Sequence, residues 1–264
     1  DTELKDIMTE NVIYCHTSDD KEDVARIINK YGFLALPVVD NEDRLVGIVT
    51  VDDAMDVIQA ENTEDIERIH AIVPSDKPYL KTGVISIFLH RLPWLLILMV
   101  SATFTGLILN NYEEHLSVLG GSLLIACVPM LMDTGGNAGS QACVTVIRGL
   151  ALDQIKFKDL FRVQWKELRT GMLLAISLGL VCFAKLTLVD RLLFGFAYTP
   201  MIAFIVSLSL AITVIAAKFV GCSLPLIAKA VKLDPAVVAS PIITTIVDAL
   251  SLMVYCNIAI ALLG

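Results

Sequence analysis

Two hydrophobic patterns follow one another along the chain. Up to about residue 58 the apolar residues come in short groups. VIYC reads as a strand, and DDKEDVARIINKYG as a helix with Val24, Ile27, Ile28 and Tyr31 on one face and Gly32 as its stop. FLALPVVD and RLVGIVTV read as buried strands parted by the turn Asn41-Glu42-Asp43, and DDAMDVIQ as a second helix. Two or three strands make a small core, so this α/β unit is expected to need a partner surface. Residues 59 to 80 read as a charged helical stretch ended by Pro74 and Pro78. Beyond it the apolar runs reach the roughly 20 residues that a membrane crossing takes. They cover Leu92 to Leu109, Leu116 to Ile147 with Asp133 inside, Gly171 to Ala184 and on past Lys185, Pro200 to Ile227 around Lys218, and Ala236 to the C-terminus around Asp248.

The pattern predicts a mainly α protein: a five-helix transmembrane domain over 83–264, preceded by a small α/β module over 1–58 and a connecting helix over 59–82. Composition agrees, with 56% hydrophobic residues and a mean hydropathy of +0.72. Charge divides at the same place. Residues 1 to 80 carry 19 Asp/Glu and 7 Lys/Arg, a net −12, and the remainder a net +4. An acidic segment repels nucleic acid and concentrates cations, so no nucleic-acid partner is expected. The six cysteines are scattered with no C-x-x-C pair and read as packing residues. The start, DTELKDIMTENV, lacks a basic stretch followed by an apolar run; it reads as the inside of a longer protein rather than a signal peptide.

Lys and Arg in short loops mark the cytoplasmic side. Arg148, Lys156, Lys158, Arg162, Lys166 and Arg169 follow the second run, whereas NNYEEH after the first holds none. A plasma-membrane, multi-pass protein is expected, with the acidic module inside and the C-terminus outside.

Asp248 lies 12 residues after Ala236, about 18 Å along a helix and near the bilayer midplane. A carboxylate there is costly without a partner or a wet cavity. It reads as a cation ligand or proton carrier, against the alternative of a protonated Asp bonded to a neighbouring helix. The second constellation is PMLMDTGGNAGSQ, residues 129 to 141. Its glycines permit close backbone approach, and Asp133, Asn137 and Gln141 offer oxygens to a pore lining; plain small-residue packing is the alternative. These are hard donors with no thiolate or imidazole beside them, which suits Mg2+ or Ca2+ over Zn2+ or Cu+, and Mg2+ in particular because it is held through its water shell. A single central charge per chain leads to the expectation of a homodimer that pairs two copies of Asp248.

At these residues the chain resembles the MgtE family of magnesium channels and transporters. IMTENV through DDAMDVI looks like the second of a pair of cystathionine-β-synthase (CBS) modules, and EN-TEDIERI like the start of the connecting or plug helix. PMLMDTGGNAGSQ and LDPAVVASPIITTIVDALSL resemble the signatures of the second and fifth membrane helices. The resemblance implies a homodimer with an axial pore, Asp248 at its central ion site, Asn137 as a pore residue, and Ser240 where some members carry Asn. It also implies closure by cytosolic Mg2+ bridging carboxylates of the module, the plug helix and the membrane domain. The candidates are Asp52, Asp53, Asp56, Glu61, Glu64, Asp65, Glu67 and Asp234. Mg2+ is thus expected as both transported and regulatory ion, other divalent cations as further substrates, and membrane lipid as a partner. The first CBS module and the preceding helical domain are not in this sequence, so inhibition by internal Mg2+ is expected to be partial or lost. Thr50-Val-Asp-Asp53 fits the T-x-x-D pattern that binds adenosine ribose in some CBS modules, though nucleotide binding is the weaker expectation.

Two other readings use the same aspartates. A proton-coupled divalent cation carrier would use Asp248 as a relay. An intramembrane aspartyl protease would pair Asp133 with Asp248, but its Tyr-Asp and Gly-x-Gly-Asp motifs are absent. Without a P-loop, G-x-S-x-G or H-E-x-x-H motif, the chain is not expected to be an enzyme.

Overall fold

A computed structural model describes the chain except for residues 1–2, 10, 76, 121, 197 and 238–239, together with the side chains of 4–5, 114–120 and 240. Contacts divide it into two units, Asp1–Ile66 and Glu67–Gly264.

In the first unit, a short α1 (Leu4–Ile7) precedes β1 (Cys15–His16), α2 (Lys21–Tyr31), β2 (Ala35–Val39) and β3 (Leu45–Thr50). Helix α2 starts where the Asp20 carboxylate accepts the Glu22 N–H at 2.8 Å and stops at Gly32, whose φ of 67° is left-handed. The sheet order is β1-β2-β3, with β1 parallel and β3 antiparallel to β2. Asp40 holds the β2–β3 turn by accepting the Glu42 and Arg44 N–H groups at 2.9 Å. Cys15, Val24, Ala25, Ile28, Leu36 and Ala54 form the core. Tyr31, expected on the buried face of α2, is instead exposed and stacks on Phe33, with 5.4 Å between ring centroids. Leu45, Val46 and Ile48 of β3, expected as a buried strand, are exposed as well, as is Met55, because only one face of this small sheet is covered by the helices of its own unit.

Helix α3 (Val51–Ile69) takes in the second module helix and the first part of the charged stretch. Thr50 and Asp53 open it as a capping box. The Asp53 N–H points to Thr50 Oγ1 at 3.5 Å, while Asp53 Oδ2 accepts the Thr50 hydroxyl at 2.6 Å and its N–H at 3.3 Å.

The second unit contains α4 (Val84–Gly120), α5 (Ser122–Ala151), α6 (Leu160–Ala184), α7 (Asp190–Phe194), α8 (Pro200–Ala230) and α9 (Ser240–Leu263). Among the described residues, four segments are long and apolar enough to cross a membrane: Val84–Glu113, Phe157–Phe194, Pro200–Ala230 and Pro241–Leu263. This is a multi-pass membrane domain. The third apolar run continues past Lys185, because a π-helical turn, Lys185–Val189, carries α6 into α7 and Lys185 is neutralised by Asp190 at 2.9 Å. Helix α8 packs against α5, α6 and α9, and α4 lies against α9. Helix α5 is 30 residues and about 45 Å long.

Candidate ion-permeation site

The glycine motif of α5 divides between two faces of its helix. Gly135, Gly136 and Gly139 are buried, while Asp133, Asn137 and Gln141 are exposed at i, i+4 and i+8. The glycines serve packing. A Cβ on Gly135 would come within 2.7 Å of Thr213 Cγ2 on α8, and one on Gly139 within 3.0 Å of Ile243 Cγ2 on α9 and 3.2 Å of the Ala217 carbonyl. Closest of all is Gly221 on α8, where a Cβ would fall 2.2 Å from the Gly139 carbonyl oxygen. Backbones this close are what small residues provide in helix bundles.

Asp248 stands at the edge of that seam. Its neighbours Ile243, Val247, Ser251 and Leu252 are buried against the bundle, whereas Asp248 itself is half-buried. Its Oδ1 lies 3.8 Å from where a Gly136 Cβ would stand, and Thr244, one turn earlier, meets the same point at 3.3 Å through its methyl group. Gly136 thus lets Asp248 come against α5. Asp133 is near enough for the two carboxylates to repel each other. Ser240 begins α9, but its side chain lies outside the described residues.

The expected regulatory carboxylates are spread along α3. Asp56 is exposed, and Glu64, Asp65 and Glu67 are half-buried near the helix end, with Asp56 three turns, about 16 Å, from Glu67. Among the described residues, no three His, Cys, Asp or Glu side chains gather as metal ligands. Several of these acids have partners already. Glu61 pairs with Lys21 at 3.0 Å, Glu67 accepts the Ser75 N–H at 3.1 Å, and Asp234 forms an ion pair with Arg68 while its Oδ1 accepts the Ala236 N–H at 2.8 Å. Outside the membrane segments, the Thr50 hydroxyl and N–H hold the Asp53 carboxyl below the usual carboxylate range.

Two ion pairs in this unit escaped sequence reasoning. Nothing local connects Arg68 to Asp234. The other, Glu167 on α6 with Lys218 on α8 at 3.4 Å, left a signal: a lone Lys in an apolar run asks for an acid, and Glu167 is the sole acid between Asp159 and Asp190. The Lys218 side chain is buried and that of Glu167 largely so.

A helical membrane domain with a carboxylate at a glycine-packed helix seam, preceded by an α/β module, defines a polytopic membrane protein. Residues 128–258 match the MgtE family, described as divalent cation transporter, and residues 4–60 match the CBS domain family. The chain belongs to the MgtE family. It is 38% identical over 262 residues to the magnesium transporter MgtE of Thermus thermophilus, covering 99% of this chain and 56% of that protein. The magnesium transporters MgtE of Bacillus subtilis and Enterococcus faecalis are 36% and 32% identical, over 98% of this chain and 55% and 54% of theirs. The chain spans about half the length of the curated relatives it matches.

Proposed function

We propose that the chain forms the pore domain and adjoining CBS module of a Mg2+ transporter, with Asp248 as the central ligand of the permeating ion. The observation that carries this reading is the placement of Asp248 against Gly136, beside the exposed stripe Asp133, Asn137 and Gln141. A polar stripe at membrane depth is not stable against lipid. It faces water and a second copy of the chain, so that α5 becomes the fifth crossing and α5 and α9 of two protomers line an axial path. Carboxylate, amide and hydroxyl oxygens suit a hydrated Mg2+, and the name magnesium transporter borne by all three relatives supports the choice of ion.

The acidic module faces the cytoplasm in this reading, and the C-terminus lies outside. Pairing of Lys185 with Asp190 supports that orientation, because it removes a free positive charge from the outer loop. Cytosolic Mg2+ acts to close the path at carboxylates of α3, chiefly Glu64, Asp65, Glu67 and Asp56, and separately at Asp234 before α9.

Flux of Mg2+ into proteoliposomes, with and without Asp248→Ala, tests the central assignment. Flux is expected to fall to background in the variant and to follow the Mg2+ gradient and voltage. An unchanged rate would overturn the assignment. Flux driven by an imposed pH gradient would replace it with a proton-coupled carrier.

A further inference from the structure

Helix α6 packs chiefly on α8, away from the seam that holds Asp248. Its inner face is consumed by that contact. Gln164 donates to the Ser223 hydroxyl at 2.9 Å, Glu167 pairs with Lys218, Gly171 rests on the Lys218 stem, and Ala175 is buried. The outer face of its first two turns is built differently. Phe161 and Trp165 are 81% and 59% exposed, and Arg162, Lys166 and Arg169 stand exposed among them at i, i+4 and i+7.

The cations on this face are uncompensated. Among the described residues none of the three forms an ion pair, and the nearby acids are occupied: Glu167 turns inward to Lys218, and Asp159 accepts the Lys156 N–H at 3.0 Å. The face is also ordered. The Arg169 guanidinium lies over the Trp165 ring, 5.8 Å from its centroid, and its Nε–H donates to the Trp165 carbonyl at 3.4 Å. From Arg162 to Arg169 the helix rises about 10 Å, the depth of a headgroup layer. Directly below, on the same side, Leu173, Ile176 and Leu180 are 70%, 62% and 68% exposed with no cation among them.

We propose that this face is a binding site for an anionic phospholipid, its phosphate held by Arg162, Lys166 and Arg169, its glycerol level by Trp165 and Phe161, and its acyl chains along Leu173, Ile176 and Leu180. The charge complementarity and the unbroken change from basic-aromatic to apolar select a lipid over a soluble anion, which would leave the apolar half uncovered. The site rests on the reading that α6 crosses the bilayer. It is separate from the ion path, and it ties α6, and through the Glu167–Lys218 pair α8, to the composition of one leaflet.

The chain contains two tryptophans, Trp94 and Trp165. Trp94→Phe therefore leaves Trp165 as a single reporter at the site. Its fluorescence is measured in proteoliposomes of phosphatidylcholine into which brominated phosphatidylcholine or brominated phosphatidylglycerol is titrated. Brominated phosphatidylglycerol is expected to quench with a relative affinity roughly fivefold higher. The combined Arg162→Gln, Lys166→Gln and Arg169→Gln variant is expected to return that ratio to about one, and Lys166→Gln alone to lower it. Equal quenching by both lipids in the parent overturns the anionic site while leaving the crossing intact. Quenching by neither lipid overturns the crossing and the site together. A preference that survives in the combined variant overturns the assignment to these three residues.

Discussion

Arg68, in the last turn of α3, forms an ion pair with Asp234 in the turn before α9, so this last turn is fastened by charge to the entrance of the helix carrying Asp248. The Asp234 carboxylate is the one expected to receive a regulatory divalent ion, and here a guanidinium occupies it. Under the proposed regulation, Arg68 would compete with Mg2+ for that carboxylate. In Arg68→Gln the Mg2+ concentration that half-closes the path is expected to fall about two- to fivefold, the scale of a partly exposed ion pair. Mg2+ titration of flux, alongside protease protection of α3, measures it; an unchanged midpoint would mean that Asp234 is not a regulatory ligand.

The division of the α5 motif into a packed and a wet face is open to chemical labelling. All six native cysteines are buried, so the background is low. Asn137→Cys and Gln141→Cys are expected to react with a water-soluble thiosulfonate, which needs the thiolate and hence water. Ala138→Cys and Ala142→Cys, at buried positions, are expected to resist it. Mass spectrometry after labelling reads both outcomes, and equal reactivity of the two pairs would remove the polar stripe from the ion path.

Close approach of α5 and α8 depends on Gly221. A methyl group there would meet the Gly139 carbonyl, which as backbone cannot swing aside. Gly221→Ala is expected to cost about 1–3 kcal/mol in thermal unfolding in detergent and to lower flux by shifting α5. Gly179→Ala, with 3.4 Å to the Ser207 carbonyl, is the near-neutral comparison.

Removing Lys218 strands a buried acid. Lys218→Met is expected to destabilise the membrane domain by about 3–5 kcal/mol, and Lys218→Met with Glu167→Gln to recover most of that, because the cost comes from an unpaired charge. Detergent unfolding of the two single variants and the double variant measures the coupling. Additive losses would show that the pair does not join α6 to α8.

The capping box at α3 gives a pH signature. The Asp53 carboxyl is held below its usual range by Thr50, so the folded state takes up its proton less readily than the unfolded one. Its contribution is complete above the ordinary aspartate value of about 3.9 and is lost as pH falls through the lowered one. In Thr50→Val the carboxyl is expected to titrate nearer the ordinary value, as read by carboxyl NMR of the CBS module.

The sequence by itself determined what repeats or ends locally. The apolar runs, the capped helix α2 with its Gly32 stop, the Asn41-Glu42-Asp43 turn, and the anomaly of Asp248 in an apolar helix all follow from spacing, turn chemistry and the cost of a charge in hydrocarbon. Helical period also shows that PMLMDTGGNAGSQ has two faces. It does not say which neighbour each face meets. Tertiary structure decided that Gly135 and Gly139 pack on α8 and α9, that Gly136 receives Asp248, and that Asp133, Asn137 and Gln141 are left exposed. It also paired Arg68 with Asp234 and Glu167 with Lys218, across 166 and 51 positions. The physical reason is that a buried charge requires a partner but does not dictate its distance along the chain. Only the packing of α6 on α8, and of the end of α3 near the start of α9, brings those partners into reach.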